Sequence, residues 1–174
     1  MRAWMIFFAG GLVLLAGGCP DPAGTDTADT DMTADQQGVL PADADAAGLL
    51  DRVLVLVNQE RAAAGLGALS RSAQLDQAAE RHTADMRDNE FFSHTGSDGT
   101  QAADRVNDTG YQWARVGENL AQGSNTPEEV VQRWMDSEGH RANILQADFT
   151  EIGLAVTDGG PLWAQVFARP LGAP

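Results

Sequence analysis

The sequence predicts an α+β domain at the C-terminal end of a 174-residue chain. Helical periodicity dominates from residue 49 to about residue 107, and strand-like stretches gather towards the end. The helices come first and do not alternate with strands one for one. That order points to an antiparallel sheet and not to βαβ units.

The first helix spans residues 49 to 64. Leu50, Val53, Leu54 and Val57 recur at three and four, and Gly65 stops it. Ser70 or Ser72 can cap a second helix that runs to about Asn89. Leu75, Ala78, Ala79, His82 and Met86 form its inner stripe. After the loop from Phe91 to Gly99, Thr100 can cap a short third helix to about Asn107, ended near Gly110. Gly117-Glu118-Asn119-Leu120-Ala121 reads as a strand or its end, after the aromatic segment Tyr111 to Trp113. Thr126-Pro127-Glu128-Glu129 is a helix start: Thr caps, Pro takes the first helical position and Glu129 completes a capping box. That helix turns Val130, Val131, Trp134 and Met135 inward, and Gly139-His140-Arg141 interrupts it before Asn143-Ile144-Leu145. Two strands, Glu151 to Val156 and Leu162 to Ala168, close the chain around the turn Thr157-Asp158-Gly159-Gly160.

The first 47 residues differ in kind. Arg2 precedes the uncharged apolar run Ala3 to Ala16, too short for a comfortable membrane span and suited to a signal-peptide core. The run ends in Leu15-Ala16-Gly17-Gly18-Cys19. This resembles the bacterial lipoprotein processing signal, with Leu15 one place earlier than the leucine that signal prefers. Residues 1–18 are therefore expected to be a signal peptide and Cys19 the lipidation site. A secretory signal cut near the same Gly-Gly is the alternative. Residues 19–47 carry seven Asp and no basic residue, so an extended, disordered tether is expected there. The composition shift near residue 48 sets the domain at 48–174.

The net charge of −14, with all eleven basic residues Arg, disfavours nucleic acid as a partner. The single cysteine excludes an intramolecular disulfide and a Cys₄ or Cys₂His₂ zinc site. Of the three histidines, His82 lies on a helix stripe and reads as a packed residue. His94 sits in a loop among Ser93, Thr95 and Asp98, and His140 follows Gly139 at the expected helix break. Loop histidines suit binding or proton transfer better than helix-face ones. Glu118, beside apolar followers on a strand, is expected to be partly buried and hence paired or hydrogen-bonded.

Four segments together resemble the CAP superfamily, the cysteine-rich secretory, antigen 5 and pathogenesis-related proteins (SCP/TAPS), in its bacterial extracellular branch. They are Asn58-Gln59-Glu60-Arg61 with Gly65-Leu66; Phe92-Ser93-His94; Gly117 to Ala121; and Trp134 to Leu145. The ending Phe149 to Leu154 with Trp163 to Phe167 is similar too. The resemblance implies an α-β-α sandwich, a small antiparallel sheet between helical layers with a cleft on one side. It also implies a cleft tetrad of His, Glu, Glu and His. His94 matches the first His and Glu118 the first Glu. Ser137 stands where the second Glu would be, and Leu162 where the last His would be.

The function expected from these residues is an exported module whose cleft, formed by His94, Glu118, Ser137 and His140, binds a small apolar or envelope-derived ligand. The alternative is a hydrolase: Glu118 with His94 or His140 as acid and base, or His94 and His140 holding a divalent metal such as zinc. The partner expected through Cys19 is the membrane, by way of a lipid anchor.

Overall fold

A computed structural model describes residues 46–158 and 161–172. The leader, Cys19 and the tether up to residue 45 lie outside the described residues. The elements are α1 (Ala46–Ala63), β1 (Ser70–Arg71), α2 (Ala73–Asp88), α3 (Ala102–Asp108), β2 (Trp113–Gln122), α4 (Pro127–Asp136), α5 (Glu138–Ile144), β3 (Glu151–Val156) and β4 (Leu162–Pro170). The first helix therefore begins three residues before the expected start, and Ala46 and Ala47 belong to it rather than to a tether.

The sheet order is β1-β3-β4-β2. β2 pairs antiparallel with β4, and β4 antiparallel with β3. The two-residue β1 adds a parallel edge on β3, which no periodicity in so short a segment announces. Alternation along the strands divides the core into two layers. Ala121, Ile152, Leu154, Trp163 and Phe167 face α1, α4 and α5. Leu120, Leu162, Ala164, Val166 and Ala168 face α2 and α3. Buried on both faces, β4 reads as a nearly unbroken apolar run. The result is the α-β-α sandwich.

Local chemistry explains where the elements stop. Gly65, at φ 73°, ends α1 in a Schellman turn: Leu66 N–H donates to Arg61 O (2.9 Å) and Gly65 N–H to Ala62 O (3.0 Å). Ser72 occupies the N-cap of α2 without a side-chain bond, while Ser70 lies in β1. The N-cap of α3 is Gln101, whose N–H donates to Asp104 Oδ2 (2.9 Å); Thr100 is taken up by Asp98, its hydroxyl donating to Oδ1 (2.6 Å). Thr126 caps α4 by accepting from Glu129 N–H (3.2 Å). Glu129 reaches past the cap to accept from Asn125 N–H (2.8 Å), so the reciprocal bond of a capping box falls one residue early.

The helix break comes at Ser137, not at Gly139. Ser137 is extended (φ −94°, ψ 122°) and serves as C-cap of α4 and N-cap of α5. Gly139 and His140 are inside α5. Gly153 sets the approach of α2 to the sheet: a Cβ there would sit 2.1 Å from the Leu75 carbonyl carbon.

β2 is an edge strand, and its outward carbonyls are covered by side chains. Asn143 Nδ2 donates to Glu118 O (3.1 Å), Trp134 Nε1 to Leu120 O (3.2 Å) and Arg133 to Gln122 O (2.7 Å). The edge is thus closed against further strands, and α4 and α5 are locked beside the segment that carries Glu118.

Candidate active or binding cleft

Glu118 points from β2 towards α2 and α3, and its side chain is 3 % exposed. One oxygen, Oε2, accepts from Arg105 Nη2 at 2.7 Å, and Arg105 is itself 2 % exposed. The other, Oε1, lies 2.8 Å from Nδ1 of His94, whose side chain is 58 % exposed. A buried carboxylate is therefore neutralised by a buried guanidinium on one side and holds a solvent-facing imidazole on the other. Arg105 also donates to His94 O (3.2 Å) and Thr100 O (3.0 Å), so one side chain fixes both the carboxylate and the loop that presents His94.

His82 lies beneath this arrangement. It is fully buried, and its Nε2 donates to Ser93 O at 2.8 Å, which anchors the same loop from below. Burial pushes its pKa down; Glu118 pulls it up, and Arg105 presses it down again. The expectation of a packed histidine holds, with the addition that it supports His94.

His94 and Glu118 open onto a pocket of about 300 Å³ that is also lined by Gln101, Ala102, Ala103, Trp113, Val116 and Gly117. Ser137 and His140 are not among its walls. His140 is on α5, which packs against the opposite face of β2: Asn119 Nδ2 donates to His140 O (3.0 Å) and to Gln165 Oε1 (3.1 Å). His140 Nδ1 is buried without a hydrogen-bond partner. Burial lowers its pKa, and the positive charges of His94 and Arg133 lower it further. Ser137 is half-buried at the joint between α4 and α5, and its hydroxyl does not cap α5.

The donor set does not fit a histidine-held metal. His94 keeps Nε2 free, but the carboxylate beside it, Glu118, is tied to a guanidinium whose fixed positive charge opposes a cation, and no second histidine is hydrogen-bonded into this chain. The position that the resemblance aligns with a second histidine is Leu162, buried at the start of β4. Among the described residues no group of three or more His, Cys, Asp or Glu is arranged to hold a metal ion.

Comparison with known proteins agrees with the fold and the motifs. The cysteine-rich secretory protein family, CAP, matches residues 54–168. The chain belongs to the CAP family. The uncharacterized protein YkwD of Bacillus subtilis is 40% identical over 116 residues, 67% of this chain and 45% of YkwD. An extracellular protein containing a SCP domain from Bacillus anthracis, solved by crystallography, superposes with a TM-score of 0.67 at 30% identity, covering 76% of this chain and 45% of that one. An outer surface protein of Borrelia burgdorferi shares the fold, with a TM-score of 0.65 at 21% identity over 70% of this chain and 92% of that one. The chain spans less than half the length of YkwD and of the Bacillus anthracis protein.

Two residues of this CAP cleft are not announced by the sequence. Arg105 gives no local signal; only the need of a buried Glu118 for a cation points to some arginine among eleven. Trp113 reads as part of an aromatic segment but not as a wall of the cleft.

Proposed function

We propose that the protein is an exported CAP module whose cleft at His94 and Glu118 binds a small envelope-derived ligand. The observation that carries this reading is the His94–Glu118–Arg105 chain at the mouth of a pocket. Glu118 occupies Nδ1 of His94, which leaves Nε2 as the ring nitrogen available to a ligand. The buried ion pair fixes that geometry. Export is supported by the apolar leader and by the extracellular description of the Bacillus anthracis relative. Acylation of Cys19 would hold the module at the membrane, since each buried CH₂ adds about 0.8 kcal/mol of membrane affinity.

The test is mass spectrometry of the small molecules that co-purify with the full-length protein and with its His94→Ala variant. The reading expects a species retained by the wild type and lost by the variant; identical extracts would overturn it. Membrane fractionation of wild type beside Cys19→Ala tests the anchor. A wild type already in the soluble exported fraction would remove it.

The hydrogen bond between His94 and Glu118 also favours a second reading, a hydrolase. A carboxylate that orients an imidazole is the base-and-orienter half of an acid–base or nucleophilic site. Ser137 does not line the pocket, so the nucleophile in this reading would be water activated by His94. Hydrolysis by the wild type that disappears in both His94→Ala and Glu118→Gln would favour it over simple binding.

A further inference from the structure

The β2–β4 ladder slips once. Trp113 pairs with Pro170 and Arg115 with Arg169, so two steps on β2 match one on β4. The extra residue, Ala114, is a β-bulge, and a bulge changes which face the following side chains take. Counting back from Glu118 and Val116 in steps of two leads to Ala114, and Trp113 would face away. With the bulge, Trp113 falls on the same face as Val116 and Glu118, and all three line the pocket. Its indole is held in place: Nε1 donates to Asn107 Oδ1 at 2.8 Å. The other two tryptophans of the described residues, Trp134 and Trp163, are each 1 % exposed and belong to the core.

We infer that this cleft takes a neutral saccharide, whose ring stacks on Trp113 while its hydroxyls meet His94 and Gln101. The inference rests on the binding reading above and names the class of its ligand. Three features carry it. An indole fixed at the wall of a polar pocket offers a flat apolar surface, which matches the face of a pyranose ring formed by its axial C–H groups. Nε2 of His94 and the Gln101 amide, which spends one N–H on Thr95 Oγ1 (3.0 Å), together leave donors and acceptors that suit hydroxyl groups, since these are both at once. The acidic chain, at −14, repels phosphorylated and other polyanionic ligands, so a neutral one is favoured. The small side chains of Ala102 and Ala103 keep the pocket open.

The experiment is a titration of the ¹⁵N-labelled full-length protein, followed by NMR of the indole and imidazole groups. The probes are the β-1,4-linked trisaccharides of N-acetylglucosamine and of glucose. Trp113→Phe assigns the Trp113 indole signal. The inference expects saturable shifts of the Trp113 indole and the His94 ring with at least one trisaccharide. It expects binding to weaken about tenfold or more in Trp113→Ala, as for truncation of a central aromatic anchor, and less in Trp113→Phe. Absence of saturable shifts with both trisaccharides overturns it. A co-purifying molecule that shifts His94 and leaves Trp113 unmoved would also overturn it, while leaving the binding reading intact. If no added or co-purifying molecule moves either residue, both fail.

Discussion

Arg61 and Arg105 are both buried, at 1 % and 2 % exposed, yet only one of them has a charged partner. Arg61 has carbonyls for partners: it donates to Gly67 O (2.8 Å), Ile144 O (2.8 Å), Gln146 O (2.9 Å) and Phe149 O (3.0 Å). It pins the end of α1 to the segment between α5 and β3. Burial lowers its pKa, as expected of a cation taken from water. Arg105 meets two carbonyls as well, but it also meets a carboxylate, and that carboxylate meets an exposed imidazole in a pocket. A buried cation met by main-chain dipoles is scaffolding. One that ends in a titratable chain reaching solvent is part of a site.

The largest expected effect is at the scaffold. Arg61→Met leaves several buried carbonyls without donors and should cost about 3–5 kcal/mol, read as a fall in the urea midpoint. Arg61→Lys should recover only part of that, because one ammonium cannot span the four acceptors that the planar fork reaches. Full recovery by lysine would show that charge alone matters there.

The site pair should behave differently. Glu118→Leu alone strands the Arg105 guanidinium and should cost about 3 kcal/mol or more. Adding Arg105→Met should restore much of the loss, since an apolar pair can replace a buried ion pair at little cost. Ligand retention at His94 should stay lost in the double variant. A double variant as unstable as the single one would make Arg105 a scaffold residue like Arg61.

The comparison also predicts where pH acts. His82, beside the Arg105–Glu118 pair, and His140, on α5, are both held below the ordinary histidine pKa of 6.5 by burial. Between the folded and unfolded values the unfolded chain binds more protons. Stability is therefore complete above pH 6.5 and is lost as pH falls below it. Urea midpoints measured from pH 6.5 down to the onset of carboxylate titration should decline, and His82→Gln should flatten the decline. A flat profile in the wild type would contradict the burial of these rings.

The smallest effect belongs to an arginine on the surface. Arg52 pairs with Glu128 at 2.7 Å between α1 and α4, with both side chains more than 40 % exposed. Arg52→Ala should change stability by under about 1 kcal/mol. A loss near that of Arg61→Met would break the ranking by burial.

Much of this is legible without coordinates. Spacing at three and four locates α1 and α2, to within three residues at each end, and two short apolar runs around a Gly-Gly turn locate β3 and β4 to within two. The motif residues His94 and Glu118 stand out in the sequence, and they meet. These are local or short-range features, where each residue's preference and its neighbours' suffice. Three things were decided only by the fold. Ser70 and Arg71 became a strand because β3 offered an edge, against the promise of Ser70 as a helix cap. His140 lies inside α5 and not at a helix break, because the helix breaks at Ser137, two residues before the glycine that marks the break in sequence. Arg105 and Trp113 entered the cleft through a long-range ion pair and a one-residue slip in strand pairing. A charge pair distant in sequence and a register shift depend on what lies across the sheet, and no window of the chain contains both sides of such a contact.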